Sequence, residues 1–308
     1  MKPSLFLLLT FLILEVKAKE PILSYLSNEC PETNQPHFLS QKRVKTLLIS
    51  EASIYAISLI GLNQLWYSGY PRSRFHFIND NREWMQMDKL GHMTTSYYGG
   101  VAGIKAYRWA GFERKKAIWY GGMTGSFFLS IIEFLDGTSK EWGASLGDLL
   151  SNTAGSLMAI GQELSWNEQR ILLKYSYSPT KYAKLNPEQL GSNYLERPLK
   201  DYNGQTYWLS LNIKSLFLTD YRNFPAWLNI AVGHGADKMS QPYPQFLNTS
   251  ENDFERQFYM SFDIDLNKIK TKNQFVNSVL HFFGFIKFPA PTIEINNGKL
   301  IFDPSYFS

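Results

Sequence analysis

The chain has 308 residues, 44% hydrophobic and 16% aromatic, which excludes a disordered protein and leaves room for one large domain or two modest ones. Its net charge of +4 comes from 31 Lys and Arg against 27 Asp and Glu, scattered along the sequence. There is no basic stripe interleaved with aromatics, so nucleic acid is not an expected partner; mild basicity suits contact with an anionic lipid surface.

The first element in chain order is a leader. MKPSLFLLLTFLILEVKAKE has a basic start, an apolar stretch from Leu5 to Leu14, and Val16-Lys17-Ala18 at the positions a signal peptidase reads. Residues 1–18 are therefore expected to be a secretory signal peptide, too short to span a bilayer, followed by a linker over 19–43. The expected location is the cell envelope, periplasmic or membrane-associated. Cys30 is the single cysteine and forms no internal disulfide. Asn28-Glu29 before it lacks the small and apolar residues of a lipobox. Asn248-Thr249-Ser250 is a glycosylation triplet of a kind common by chance.

Four helix-length apolar segments come next, at 44–66, 89–110, 116–135 and 145–164. In the second, Asp88, His92, Thr95, Gly99 and Gly103 form one stripe at helical spacing. Gly122, Ser126, Ser130 and Glu133 form another in the third. Asp148, Asn152, Gly155 and Ala159 form one in the fourth, with Ser145 a turn earlier. Large apolar residues such as Phe127, Phe128, Leu149 and Leu150 occupy the other sides. Glycines, hydroxyls and isolated carboxylates replace the Lys, Glu and Gln of an ordinary surface stripe, and small residues four apart permit close helix approach. The fold class expected is mainly α: a small-residue-rich four-helix membrane-type bundle over 44–165, followed by a mixed, β-containing C-terminal half over 166–308. The alternative is a water-soluble bundle with a polar groove. Arg114, Lys115 and Lys116 would share the outer side with Lys19 after cleavage, against the positive-inside tendency.

Beyond residue 166 the period changes to two. YWLSLNI places Tyr207, Leu209, Leu211 and Ile213 on one face, and QFYMSFDIDL alternates Phe258, Met260, Phe262 and Ile264 with Tyr259, Ser261, Asp263 and Asp265. TIEI near 293 and KLIF near 300 are weaker cases. Four short strands fall below the roughly eight that an outer-membrane barrel needs, so this half is expected to be water-exposed or surface-packed. QFVNSVLHFFGFIKF (274–288) carries an amphipathic helix, and GHGADK (233–238) reads as a turn.

Short connections make neighbouring helices antiparallel. The start of the second, the end of the third and the start of the fourth then lie together, so Asp88, Lys89, His92, Glu133, Asp136, Ser145, Asp148 and Asn152 form a candidate polar binding site. Asp88, His92, Glu133 and Asp148 are the candidate catalytic or metal-ligating groups: one imidazole and three carboxylates suit a divalent cation or divided acid and base roles. No zinc motif such as His-Glu-x-x-His is present, and Ser145 lacks a nucleophile elbow.

MDKLGHMTTSYYGG and EFLDGTSKEWGASLGDLLSNTAGS resemble the YfiM-like family of predicted periplasmic lipoproteins. The pattern Asp-Lys-x-x-His, then Glu, then Asp-x-x-x-Asn-x-x-Gly is also similar to VanZ-like membrane proteins. The resemblance covers about residues 40–165 and marks Asp88, Lys89, His92, Glu133, Asp148, Asn152 and Gly155. It implies an envelope location and a helical fold but no reaction, and the chain departs from it in lacking a lipobox.

Three functions stay open. The pocket grips a membrane lipid or envelope component, with Lys89 and Lys140 meeting an anionic group. Or it is a metal-assisted or acid/base hydrolase acting on a lipid-linked or phosphorylated substrate. Or the polar groups hydrogen-bond between helices and only fix their packing. Singly, Lys89 snorkelling and Gly155 as a helix contact are the plainer readings, while for Asp136 a turn role competes evenly with coordination. No cofactor beyond a possible divalent cation is implied, and the oligomeric state is open.

Overall fold

The computed structural model describes residues 39–67, 69–242 and 254–306. The expected signal peptide, Cys30 and the Asn248–Ser250 triplet lie outside them. The described residues divide into two compact units, a helical one running up to Asp80 together with His92–Gln169, and a sheet-bearing one of Asn81–Gly91 with the residues from Arg170 onward.

In the helical unit, α1 (Gln41–Leu62) starts at Ser40, whose side chain caps the Arg43 amide, and runs on into a π-helical turn at Asn63–Tyr67. Helix α2 is Met87–Trp109. A helical run from Arg114 passes through a second π-turn at Ala117–Gly121 into α3 (Thr124–Gly137). Strand β1 (Phe77–Ile78) pairs in parallel with β2 (Ala144–Ser145), and α4 (Leu146–Trp166) follows directly. The helices touch through main chain. A Cβ added at Gly99 would lie 2.7 Å from Gly125 Cα, one at Gly103 2.1 Å from the Gly121 carbonyl, and one at Gly155 2.1 Å from the Met93 carbonyl. Such contacts leave no room for large side chains between the helices. Ser96, Ser126 and Ser156 are accordingly buried there, while Leu48, Ile57, Phe127, Phe134, Leu150 and Leu157 are exposed. By length and composition α1 and the run Arg114–Gly137 are apolar enough to cross a membrane; only 17% of the α1 window is buried, against 50% for the other.

The sheet-bearing unit is built on β3 (Ile171–Tyr177), β4 (Gln205–Asn212), β5 (Leu228–Asp237), β6 (Glu255–Ile264), β7 (Ala290–Asn296) and β8 (Lys299–Tyr306), paired antiparallel in chain order. Helix α5 (Gln274–Phe282) precedes β7. The register places Leu209, Val232, Met260, Ile293 and Phe302 in one cross-strand row, and Phe258, Ile295 and Leu300 in the next; all are exposed. The opposite face is buried and largely polar. Asn212 Nδ2 donates to Asn229 Oδ1 (2.7 Å), Asn229 Nδ2 to Ser210 Oγ (2.8 Å), and Ser210 Oγ to Asp263 Oδ2 (2.7 Å). Lys174 Nζ completes the chain at 2.8 Å from the same Asp263 oxygen. Lys174 and Asp263 sit on β3 and β6, three strand spacings or about 14 Å apart in a flat sheet, so the sheet must curl about this ion pair. Tyr306 of β8 likewise reaches Trp208 of β4, ring centroids 6.0 Å apart.

The expectation of a mainly α chain built on a four-helix membrane-type bundle is overturned. Helix makes up about 50% and strand about 22%, and the six-stranded antiparallel sheet is the core of a unit in its own right. Its strands were undercounted because β5 turns Ala231, Gly233 and Gly235 inward and so hides its alternation; GHGAD, read as a turn, is the end of that strand. The helical part is not a clear four-helix bundle either. Two of its helical runs are broken by π-turns, and the first turn of α2 belongs to the sheet-bearing unit.

That first turn is set by an unusual lead-in. Trp84, Met85 and Gln86 all have positive φ (48°, 50° and 65°), a left-handed turn costing roughly 1–2 kcal/mol per residue. The surroundings hold it. The Trp84 amide donates to the Pro242 carbonyl, Arg256 donates to the Met85 carbonyl and to Gln86 Oε1, and Trp84 and Met87 pack against Ala183, Leu190 and Tyr202.

Gly155→Ala is expected to destabilise the protein by about 1–3 kcal/mol through overpacking. Gly161→Ala on the same helix, where nothing lies within 4 Å, should stabilise it by about 0.5–1 kcal/mol; urea unfolding of the pair measures both. Burial pushes the Lys287 ammonium down to about 8 from 10.5, with Asp263 opposing and Lys174 reinforcing the shift. The unfolded chain then holds the extra proton between these values, so stability should rise with pH through that window. Lys287→Met should be more stable than wild type at neutral pH, with the difference closing as pH approaches 10.5; denaturation of both proteins across this range checks it.

Candidate functional site

Helical spacing brings four side chains of the helical unit to one place: His92 from α2, Glu133 from α3, and Asp148 and Asn152, one turn apart on α4. Each is at most 1% exposed. Ligand-type atoms of His92, Glu133 and Asp148 all lie within 4.8 Å of one another. His92 Nδ1 is 2.9 Å from Asn152 Oδ1 and 4.0 Å from Glu133 Oε1. An amide oxygen only accepts, so Nδ1 is the donor of this pair. Asn152 Nδ2 is buried and makes no hydrogen bond among the described residues.

Ser145 locks the wall around this group. Its amide donates to Glu133 Oε2 at 2.9 Å, and its hydroxyl caps α4 by accepting from the Asp148 amide at 3.2 Å. The same hydroxyl donates to Asp80 Oδ1. With its hydroxyl so committed, Ser145 is a positioning residue rather than a nucleophile. Ser96 and Ser156 extend the polar seam, their hydroxyls 2.9 Å apart.

Asp136 is engaged elsewhere: Tyr67 donates to its Oδ1 at 2.6 Å, and burial, then the Asp136 charge, raise the Tyr67 phenol far above its usual range, keeping it a donor. The Asp136 carbonyl also accepts from the Ser139 amide, closing the DGTS turn. Asp88 and Lys89 belong to the sheet-bearing unit, where their side chains pair at 3.0 Å and are buried. There burial, with the Asp88 charge, raises the Tyr207 phenol. Lys140 is exposed. Gly155 is a helix contact.

Tyr67 and Asp80 were not singled out from the sequence. Asp80 reaches Ser145 because β1 pairs with β2, and two-residue strands carry no readable period. Tyr67 reaches Asp136 through the π-turn at the end of α1, which no composition signal marks.

Residues 76–162, the stretch that supplies these helix-borne groups and Asp80, match the model of a family described as predicted periplasmic lipoprotein, DUF2279. This is an exported, envelope-associated protein. No curated protein and no solved structure matches the chain. The matched family is one of unknown function, so the chemistry of this envelope protein has to be argued from its side chains.

Ser145→Ala removes the α4 cap and the hydroxyl partner of Asp80 together. It is expected to cost about 2–3 kcal/mol in chemical denaturation. Ser145→Thr, which keeps the hydroxyl, should recover most of this.

Proposed function

We propose that the helical unit of this envelope protein binds a divalent cation, with His92, Glu133 and Asp148 as ligands and Asn152 fixing the imidazole. The observation that carries this reading is the convergence of three ligand-type side chains from three helices, all buried, within 4.8 Å. An imidazole held by a polar neighbour such as Asn152 is the usual arrangement of a metal-ligating histidine with its supporting shell. One nitrogen with carboxylate oxygens favours Zn²⁺, Mn²⁺ or Fe²⁺ over Ca²⁺ or Mg²⁺.

Burial also separates the open alternatives. Walls this closed suit an ion better than a lipid head group, and they set cation binding ahead of hydrolysis of a lipid-linked substrate. The inter-helix hydrogen bonds of Ser96, Asn152 and Ser156 support the packing in either state.

Metal content of the purified full chain after incubation with Zn²⁺ or Mn²⁺ should approach one equivalent. Saturation at a hundred times Kd should stabilise it by about 2.7 kcal/mol. Asp148→Asn and His92→Gln, close in shape to the wild type, should stay folded and lose both effects. A wild type that takes up no ion and shows no thermal response, or folded variants that keep the ion, would refute the proposal.

A further inference from the structure

We infer that the exposed face of the C-terminal sheet seats against the hydrocarbon of a phospholipid bilayer. The sheet is inside out. Beside the cluster of Trp208, Ala231 and Tyr259, its enclosed face holds Asn212, Asn229, Ser210 and the fully buried Lys174–Asp263 pair, while the opposite face presents the row Leu209, Val232, Met260, Ile293 and Phe302. Phe262, 56% exposed, and Phe258 flank that row. In water a curled sheet gains by turning the apolar row inward and leaving the charged pair outside; the reverse arrangement is favoured where the surrounding solvent is hydrocarbon.

A lipid phase is a better occupant than a second copy of the chain because the reversal is not confined to one patch. The helical unit, of unrelated architecture, also buries serines and carboxylates and exposes Leu48, Ile57, Phe127, Phe134, Leu150 and Leu157 on three different helices. A protein partner would account for one such surface, whereas a common apolar solvent accounts for all of them. The sheet edge limits how the face sits. Open edges are not tolerated within hydrocarbon, and β8 starts at Lys299 and carries Asp303, Pro304 and Ser305 just before its last residue, Tyr306. These polar residues and the proline place the edge at head-group level, so the face rests in the bilayer surface without the sheet crossing it.

The test uses the full chain carrying Cys30→Ser, with a single cysteine at Val232 or Met260 bearing a polarity-sensitive fluorophore, mixed with phosphatidylethanolamine/phosphatidylglycerol vesicles. The expected result is co-flotation with the vesicles and a blue shift at both positions, with no shift for a label at the exposed Asp220. Phe262→Arg, with unchanged circular dichroism, should lower partitioning by about 30-fold or more, the effect of a charge on a lipid-facing strand. Labels at Val232 and Met260 that stay water-like while the chain floats would overturn the inference, because other surfaces would then be holding the membrane. So would a wild type that stays in solution beside the vesicles as a monomer, or as a dimer that shields both labels.

Discussion

With Gly99 against Gly125, Gly103 against Gly121 and Gly155 against the Met93 carbonyl, α2, α3 and α4 meet main chain to main chain, and most other features of the helical unit follow from that contact. Helices this close have space between them only for hydrogen, hydroxyl or a short polar chain. Serines therefore line the seam and large apolar residues are pushed outward. The same closeness brings an imidazole and two carboxylates from three helices into one enclosed cluster. A methyl group at any of these glycines would separate the helices and spread the cluster, so a packing defect and a dispersed cluster are coupled outcomes.

The sheet-bearing unit reaches a similar reversal by a different route. Its hydrogen-bond chain from Asn212 through Asn229 and Ser210 to Asp263 ends on a lysine three strands away. Satisfying that lysine requires curvature, and curvature encloses the polar face. A buried ion pair adds little net stability once desolvation is counted, although removing one partner is severely destabilising. Its effect here is geometric: it selects the curled sheet over a flat one. Trp208, Tyr259 and Tyr306 then fill the enclosed side near the other end of the strands.

Much of the helical half was readable from spacing alone, because residues four apart on a helix share a face wherever the helix packs. His92, Glu133, Asp148 and Asn152 were found that way, as was the small-residue seam. The sheet was harder to read. Alternation marks a strand only when its two faces differ in side-chain character, and β5 carries alanine and glycine on its inner face. β3, with Ile171, Leu172 and Leu173 at its start, reads as a continuous apolar run. Contacts made by two-residue strands and π-turns, such as those of Asp80 and Tyr67, leave no period to detect.

The left-handed turn at Trp84–Gln86 bears on how the matched stretch, residues 76–162, is related to the rest of the chain. Three consecutive residues of unfavourable hand do not adopt that shape by local preference. The groups that hold them, Arg256, the Pro242 carbonyl and the packing around Tyr202, all come from far downstream in the sequence. The opening of α2 is thus borrowed from a segment synthesised about a hundred residues or more later. A nascent chain emerging in order would carry its second helix without a defined start until the sheet had formed. A fragment cut to the matched boundaries would lack the groups that hold that start.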